Sequence, residues 1–370
     1  MTQRHAVITQ EMVEDVRRRI GVEHHPTALF NTQATRDAIR HFCDGIGDAN
    51  PLFRDPAYAR KSRYGGIVAP PCFLGSVYWV TGRVGFPGIH AWNAGSDWEF
   101  CLPVREGDTL SCSTRLVDVQ EKRSRAAGRS FIEYVEGVYR NQTGEMVGKC
   151  LGWSVRVERG AAGERGRYRD VQPASHASEE LEAVYRAYDQ EEIRGATPRY
   201  WEDVKEGEEL PPVVKGPLSL RDIYAWLIGA GSPYIRAHRF ALEYQRQHPA
   251  VGMVDSTTGA VDVPELVHME RSRAQEVGLP GPYDYGPQRV SWLGHLMTNW
   301  TGDDGFLRRI RVELRRFNFV GDTTWCRGRV KGKRVDKGEH LVDMEIWAEN
   351  QRREVTAVGL AVVALPLRGS

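Results

Sequence analysis

The sequence contains the same set of landmarks twice, in the same order and at similar spacing. Gly107-Asp108-Thr109 is followed by Asn141-Gln142, and Gly321-Asp322-Thr323 is followed by Asn350-Gln351. After each Asn-Gln pair comes an apolar run that favours a β-strand. Three landmarks repeated in order indicate two copies of one domain. The length of 370 residues agrees, because it is too long for one ordinary domain.

The boundary between the two copies lies in a stretch of low apolar content. The residues after 158 are rich in Gly, Arg and Glu, and a helical pattern follows at 179–193. We therefore expect a first half at 1–158, a linker with a connecting helix at 159–197, and a second half at 198–370. The second half also carries an insertion at about residues 240–283, which we expect to shape a pocket.

Apolar and polar residues alternate between the landmarks. Val342, Met344 and Ile346 share one face of a strand, whereas Asp343 and Glu345 share the other. This pattern predicts antiparallel strands with one buried face.

The Asn-Gln landmark predicts a turn between two such strands. In Asn141-Gln142-Thr143-Gly144 the glycine adopts a positive φ at little cost. Arg352-Arg353 stands in its place in the second half, so we expect that turn to differ.

Helical patterns precede the strands in each half. Thr35 is a candidate N-cap in the first half, and Ser219 with Asp222 forms a capping box in the second. A second helix in each half should begin at proline, at Pro70-Pro71 and at Pro287. Helices followed by four or more antiparallel strands predict an α+β fold.

The overall composition argues against several kinds of partner and compartment. Fifty Lys and Arg against 49 Asp and Glu give a net charge of +1, so no overall field would hold a nucleic acid or an anionic membrane. The first residues lack the apolar core of a signal peptide, and no segment is apolar for long enough to span a bilayer. Six scattered cysteines form no Cys-x-x-Cys pair. We expect small buried thiols in a reducing cytoplasm, with no metal site and no disulfide framework.

The loop that follows the first helical pattern resembles a known family. Gly47-Asp48-Ala49-Asn50-Pro51-Leu52-Phe53-Arg54-Asp55, followed by Gly65-Gly66-Ile67-Val68-Ala69-Pro70-Pro71, looks like the MaoC-like dehydratases and the (R)-specific enoyl-CoA hydratases. The resemblance implies a tandem (double) hot-dog fold, each half having a long central helix wrapped by an antiparallel sheet. The first half is most similar to the N-terminal variant of that family. The resemblance also implies an acyl-CoA substrate, with coenzyme A as part of the substrate and no separate cofactor.

The family's signature is Gly-Asp-x-Asn-Pro-x-His, in which Asp and His hold and activate water. Hydration of an α,β-unsaturated thioester needs a base for water and an acid for the α-carbon. It also needs N–H donors for the negative charge that develops on the thioester oxygen. In the family the N-terminus of the central helix gives that donor, where the helix dipole favours an anion.

The first half keeps only part of this signature. Asp48 and Asn50 are present, but Phe53 occupies the position of the histidine. Pro70-Pro71 falls where the family has His-Gly, and proline has no N–H to donate. Asp48 is therefore a catalytic candidate and Asn50 a substrate-binding candidate, while turn formation and helix capping are the structural alternative for both.

The second half is the better candidate for catalysis. Ala230-Gly231-Ser232 replaces the Asp-Asn core, which leaves Ser232 as a substrate-binding candidate. Tyr285-Gly286-Pro287 resembles the family's His-Gly-Pro, so Gly286 is the main catalytic candidate and Tyr285 a binding candidate. His238 falls near the position of the signature histidine if the loop is slightly longer, which makes it the candidate acid or base.

Four further features have a structural and a functional interpretation. Asp284 is either a replacement acid or an N-cap of the helix at Pro287. Asp255 is a weaker substrate-site candidate in a turn-like string. His295 lies on an apolar helix, where we expect it to face the core. The arginines at 308–316 and Arg327 form either a solvated face or a patch for the phosphates of coenzyme A.

Three functions follow from these residues. The first is an enoyl-CoA hydratase or 3-hydroxyacyl-CoA dehydratase, with its active site chiefly on the second half. The second is a non-catalytic acyl-thioester-binding subunit that needs a partner with the complete signature. The third is a hot-dog acyl-CoA thioesterase. A homodimer or a hetero-oligomer with another hot-dog subunit is compatible with all three.

Overall fold

The structure is a computed structural model that describes residues 7–80, 86–124, 128–158, 168, 171–172, 174–255 and 258–369. The strands are β1 (Glu23–His24), β2 (His90–Phe100), β3 (Ser111–Ser124), β4 (Gly128–Arg140), β5 (Met146–Val157), β6 (Val213–Lys215), β7 (Met253–Val254), β8 (Val261–Asp262), β9 (Phe306–Leu314), β10 (Thr324–Asp336), β11 (Glu339–Asn350) and β12 (Val355–Ala364). The α-helices are α1 (Gln10–Arg18), α2 (Arg36–Ile46), α3 (Pro51–Arg54), α4 (Pro56–Ala59), α5 (Ser178–Asp189), α6 (Leu220–Ala230), α7 (His238–Gln247), α8 (Arg271–Glu276) and α9 (Gly286–Thr301). Short 3₁₀ helices lie at Pro71–Ser76, Trp201–Asp203, Pro249–Val251 and Pro264–His268.

One antiparallel sheet runs through both halves of the chain. Its ten strands follow the order β1-β3-β4-β5-β2-β9-β12-β11-β10-β6. The order β3-β4-β5-β2 in the first half corresponds to β10-β11-β12-β9 in the second, with β1 and β6 at the outer edges. The two copies meet where β2 pairs with β9, from Gly95 opposite Glu313 to Glu99 opposite Arg309. The α+β fold is therefore duplicated, as the landmarks predict.

The landmarks repeat because each pair forms one interlocked turn. In the first half the Gln142 amide nitrogen donates to Asp108 Oδ1 at 3.0 Å, and the Gln142 amide oxygen accepts from the Thr109 backbone N–H at 3.0 Å. The second half repeats both bonds, at 2.7 and 3.0 Å, with Gln351, Asp322 and Thr323. The Gly-Asp-Thr and Asn-Gln segments thus hold each other in place.

The Asn-Gln turn has the same conformation in both halves. Gly144 has a φ of 81°, and Arg353 at the equivalent position has a φ of 59°. Asn141 Oδ1 accepts two backbone N–H groups of its turn, and Asn350 Oδ1 does the same in the second half. The prediction that the second turn differs is wrong, because the asparagine side chain fixes the turn and keeps Arg353 in the left-handed region.

The helices α2 and α6 cross at two equivalent glycines. A Cβ on Gly45 would lie 2.8 Å from the Ala225 carbonyl oxygen, and a Cβ on Gly229 would lie 2.4 Å from the His41 carbonyl oxygen. Only glycine lets the two backbones approach this closely. The crossing explains why both helices end in a glycine-rich segment. The predicted cap of α2 is confirmed, since Thr35 accepts a hydrogen bond from the Ala38 N–H.

The central helix is long in the second half only. In α9 every residue from Gln288 to Thr301 is buried. The first half has a six-residue 3₁₀ helix, Pro71–Ser76, at the corresponding place. A Cβ on Gly148 would lie 2.7 Å from Leu74 Cδ1, and one on Gly152 would lie 2.1 Å from the Val80 carbonyl oxygen. The 3₁₀ helix and the residues that follow it therefore lie directly against the sheet. The expectation of a long central helix in the first half is thus wrong.

The cysteines are free thiols that lie in or near the core. Cys43, Cys72, Cys112, Cys150 and Cys326 are buried, Cys101 is partly buried, and all six are free. Burial raises the pKa of Cys72 and of Cys326 to about 12, which keeps both thiols protonated at neutral pH. They pack as small hydrophobic side chains, as expected. Within the described ranges no helix combines the length and the hydropathy needed to cross a bilayer.

We predict opposite effects of two substitutions at the equivalent turn positions. Gly144→Ala places a side chain in the left-handed region without any new contact, because nothing lies within 4 Å of its Cβ. It should lower the free energy of unfolding by about 1 kcal/mol. Arg353→Gly relieves the same strain and should raise that free energy by up to about 1 kcal/mol. Urea unfolding followed by tryptophan fluorescence measures both.

Arg353→Ala is the control, since it removes the arginine side chain but keeps a Cβ at positive φ. It should leave stability close to that of the unmodified protein. A loss of stability in Arg353→Gly would contradict the assigned turn.

Candidate functional site

A cavity of about 570 Å³ lies between the two halves at the start of α9. The first half contributes residues of β2 and β5, and the second half contributes the insertion and the segment 283–289. Aromatic rings form much of the wall: Trp79, Trp92, Tyr234, Tyr283, Tyr285 and Phe317. The cavity is therefore apolar along most of its wall and is formed jointly by both halves.

Gly286 is the first residue of α9 and lines this cavity. A Cβ at this position would lie 2.7 Å from both Asn93 Oδ1 and Leu314 Cδ1, so there is no room for a side chain. The first amides of a helix have no partner within the helix and carry the positive end of its dipole. Gly286, the main catalytic candidate of the sequence, therefore lies in the cavity wall at the N-terminal end of a helix dipole.

Tyr285 lies in the wall beside Gly286. Its ring stacks on the His268 ring at 3.9 Å between centroids, and the Trp79 ring meets it edge-on at 5.5 Å. Burial and the nearby charge of Glu265 raise the pKa of Tyr285 well above its usual range. The hydroxyl therefore stays protonated and can donate a hydrogen bond.

Asp284 lines the cavity but is held by an arginine. Arg289 Nε donates to Asp284 Oδ2 at 2.8 Å, and Arg289 also binds Oδ1. Asn318 Nδ2 donates to Oδ2 at 3.2 Å. With both side chains buried, Arg289 fixes the carboxylate and ties it to the first turn of α9. Asp284 is thus neither the predicted helix cap nor an available acid, but an anchor of the helix start.

His238 does not meet Gly286. It begins α7 with a φ of 56°, is exposed, and is absent from the residues that line the cavity. Ser232 Oγ accepts from the backbone N–H groups of Tyr234 and Ile235, at 3.0 and 3.2 Å, which turns the loop outward. His238, the candidate acid or base, therefore does not line the cavity that Gly286 lines.

The insertion supplies a carboxylate that sequence analysis did not single out. Glu265 belongs to the 3₁₀ helix Pro264–His268 and is 6% exposed. The hydroxyl of Ser232 donates to Glu265 Oε2. Ser232, predicted to bind substrate, thus orients an acidic side chain that lines the cavity.

His268 comes from the same 3₁₀ helix and was also missed. Its Nδ1 lies 2.8 Å from the Tyr283 carbonyl oxygen. Because a carbonyl only accepts, Nδ1 carries the proton and Nε2 keeps a lone pair. Burial lowers the pKa of His268 to about 4, so the ring is neutral at pH 7. The only available signal was the Glu-x-x-His spacing inside an unexplained insertion.

A buried cluster of charged groups, which we call the interface cluster, joins the two halves elsewhere. It consists of Asp48, Glu191, Lys215 and His295. Lys215 Nζ lies 2.7 Å from His295 Nδ1, while His295 Nε2 lies 3.1 Å from Glu191 Oε1 and 3.6 Å from Asp48 Oδ1. Burial alone would raise the pKa of Glu191, but His295, Lys215 and Asn299 lower it to about 2.

The interface cluster explains Asp48 and His295 without catalysis. None of its members lines the cavity, and His295 follows Gly286 by nine residues, or about 13 Å along α9. Asp48 Oδ1 also accepts from the Asn50 N–H at 2.9 Å, and Asn50 Oδ1 accepts from the Leu52 N–H at 3.0 Å. The signature residues of the first half therefore form a turn, a helix cap and a contact between halves. His295 faces the core, as expected.

Asp255 also lies outside the cavity. Its Oδ1 accepts from the Thr258 backbone N–H at 2.6 Å, and its Oδ2 binds Arg273 at 2.9 Å. These contacts close the turn between β7 and β8, which is the structural interpretation of its sequence.

Most of the predicted arginine patch is engaged by carboxylates. Arg309 Nε donates to Asp97 Oδ1 at 2.8 Å, and Arg315 binds Glu313 at 2.6 Å. Such pairs are typical of a solvated face. Arg315 and Arg316 also line the cavity, so a role in binding coenzyme A stays a prediction for these two.

Comparisons with known proteins agree with this architecture. The FAS1-like, dehydratase domain region matches residues 18–149. A UPF0336 protein of Parafrankia sp. is 33% identical over 142 residues, which cover 36% of this chain and 88% of that protein. A UPF0336 protein of Thermobifida fusca is 30% identical over 95 residues, which cover 24% of this chain and 62% of that protein.

Two solved structures cover both halves. A MaoC-like dehydratase superposes with a TM-score of 0.66 at 19% identity, over 95% of this chain and 99% of its own. A Mycobacterium tuberculosis protein described as a double hotdog fold gives a TM-score of 0.56 at 10% identity, over 94% of this chain and 96% of its own. The chain therefore belongs to the UPF0336 family through its first half, and as a whole it has the double hot-dog fold of the MaoC-like dehydratases.

Proposed function

We propose that the protein is an enoyl-CoA hydratase or 3-hydroxyacyl-CoA dehydratase that works in the cavity between its two halves. The observation that carries this proposal is the start of α9 at Gly286, which meets an aromatic cavity of about 570 Å³ next to polar side chains. This combination matches what a thioester hydratase needs, namely an apolar acyl site and a donor for an oxygen that gains charge.

The geometry suggests how the substrate would lie. The thioester oxygen would approach the first turn of α9, where helix dipole and amide groups stabilise negative charge as water adds to the β-carbon. The acyl chain would run between the aromatic side chains and the strands β2 and β5 of the first half. Arg315 and Arg316 would then be positioned to bind phosphate groups of coenzyme A. Six free cysteines fit a reducing compartment, so we place this reaction in the cytoplasm.

A non-catalytic binding subunit is the second candidate, and one observation favours it. Asp48 belongs to the interface cluster, and Ser232 follows the C-cap of α6 at the place where Asp48 follows the C-cap of α2. Neither half therefore places a signature aspartate in the wall of the cavity. On this alternative the chain would bind acyl thioesters and depend on another hot-dog subunit for catalysis.

One assay separates these functions. Purified protein is incubated with crotonyl-CoA and with longer and cyclic enoyl-CoAs, while loss of enoyl absorbance and release of free thiol are followed together. Loss of absorbance without thiol supports the hydratase. Thiol release indicates a thioesterase, and tight binding without either reaction indicates the binding subunit.

We predict that Gly286→Ala reduces kcat/KM by about 100-fold, since even a small displacement of the reacting groups has an effect of this size. The added Cβ would contact Asn93 and Leu314 and move the start of α9. Gly281→Ala is the matched control, because its Cβ meets nothing within 4 Å and it should retain activity. Equal activity in both variants would contradict a role of the helix start in catalysis.

We predict that Asp48→Asn lowers stability and leaves turnover by the folded protein unchanged. The substitution removes a buried negative charge that faces His295 and should reduce the free energy of unfolding by about 1–3 kcal/mol. Asp44→Asn, a half-exposed aspartate on α2, is the control and should change it by less than about 0.5 kcal/mol. A large loss of kcat at unchanged stability would instead place Asp48 in the active site.

A further inference from the structure

The proposed hydratase needs groups that transfer protons, and the second half lacks the usual pair. Gly47 ends α2 and Gly231 ends α6, so Ser232 stands where the signature has Asp and Ala237 stands where it has His. Ser232 is partly buried, and Ala237 is exposed. Neither side chain is a carboxylate or an imidazole.

The insertion fills this gap from a different part of the chain. Glu265 and His268 lie three residues apart on the 3₁₀ helix Pro264–His268. Side chains at this spacing eclipse each other on such a helix, so both project from the same side. Both line the same cavity as Gly286. The helix therefore brings a carboxylate and an imidazole to the cavity wall, and the carboxylate lies against Ser232 of the signature loop.

We infer that His268 is the acid-base group of this active site and that Glu265 positions its water, so that the two together replace the lost signature residues. This inference rests on the proposed hydratase function and deepens it by naming the residues that handle water and proton. The catalytic groups thus come from the insertion, a segment without a counterpart of similar length in the first half.

The contacts of Glu265 suit the positioning of a water molecule. The Ser232 hydroxyl donates to Oε2, so one carboxylate oxygen is fixed in space. Ser232 directly follows the C-cap of α6, as Asp48 directly follows the C-cap of α2. The signature loop of the second half thus still serves the site, but it orients a carboxylate from elsewhere. A carboxylate that is 6% exposed and faces a cavity can accept a hydrogen bond from a bound water.

The contacts of His268 suit proton transfer at Nε2. Nδ1–H donates a hydrogen bond to the Tyr283 carbonyl oxygen, and the ring is stacked on Tyr285, so its orientation and tautomer are both fixed. Tyr285 precedes Gly286, which places the imidazole next to the start of α9. A base on the cavity wall and a donor for the thioester oxygen are therefore neighbours in space.

The proton balance of the reaction closes on these groups. The water oxygen forms a bond to the β-carbon, and the π electrons of the double bond move onto the thioester oxygen at the helix start. His268 Nε2 takes one proton from the water, while Glu265 holds the water molecule in place. The enolate electrons then form the bond between the α-carbon and that same proton, which leaves His268 neutral again. Dehydration follows the reverse course.

Conservative variants test the assignment. His268→Asn keeps a donor for the Tyr283 carbonyl oxygen but removes Nε2, and Glu265→Gln keeps an acceptor for Ser232 but removes the charge. Each should lower kcat by at least about 100-fold, the usual contribution of a general acid or base. The affinity for butanoyl-CoA, a saturated thioester that cannot react, should change by less than about threefold, because neither variant changes the apolar wall.

Matched controls come from the same insertion. His248 resembles His268, since its Nδ1 also binds a backbone carbonyl oxygen, that of Tyr244, and its ring stacks on a tyrosine at 4.3 Å. It does not line the cavity. His248→Asn and Glu270→Gln should both keep full kcat.

The outcomes separate the inference from the function on which it rests. If the unmodified protein hydrates no enoyl-CoA, the proposed function fails. If it is active and His268→Asn and Glu265→Gln keep kcat within about threefold, the inference fails and the function stands. A loss of thermal stability and of butanoyl-CoA affinity with unchanged kcat would show a structural role only and would also overturn the inference.

Discussion

The pairing of β2 with β9 is the contact on which the site depends. It joins the two sheets into one and sets the first half against the start of α9. Gly95 stands at the end of this pairing with a φ of 151°, and a Cβ there would lie 2.3 Å from the Val312 carbonyl oxygen. Asn93 lies two residues before Gly95 on β2, and its side chain lies against Gly286. The strand that joins the two halves therefore also forms part of the cavity wall.

The two halves have diverged in different ways within the same architecture. The first half has kept Asp48 and Asn50 but uses them for a turn and for the interface cluster, and its central helix is reduced to Pro71–Ser76. The second half has kept the long helix and the glycine at its start. Tyr285 and Gly286 therefore lie in a wall whose other side belongs to β2 of the first half. The first half thus contributes strand residues to the cavity wall, and the second half contributes the start of the long helix.

The sequence predicted the fold well because the fold depends on local patterns. The alternation at Val342, Met344 and Ile346 and the cap at Thr35 follow from backbone geometry alone, and the duplicated landmarks form the same hydrogen bonds twice. The prediction for the turn at Arg353 is wrong because a positive φ does not require a glycine where a side chain holds the turn. The Asn350 side chain holds that turn through the backbone N–H groups of Arg352 and Glu354, and a comparison of the glycine position alone does not reveal this role.

The site was harder to predict, since its members come from distant segments. The sequence places Gly286 at a helix start because the glycine directly precedes Pro287, whereas His238 depends on the path of a loop that differs from the signature and leads away from the cavity. Glu265 and His268 reach the cavity only through the path of the insertion, and the Asp284 carboxylate is bound by Arg289 in the first turn of α9. Whether each of these residues lines the cavity depends on contacts between segments that are far apart in the sequence.

The most direct test of the account is a crystal structure with a saturated acyl-CoA bound. We predict that the thioester oxygen lies within hydrogen-bond distance of the first amides of α9, with the β-carbon facing Glu265 and His268. A thioester bound beside Asp48, or anywhere outside the cavity between the halves, would contradict the account.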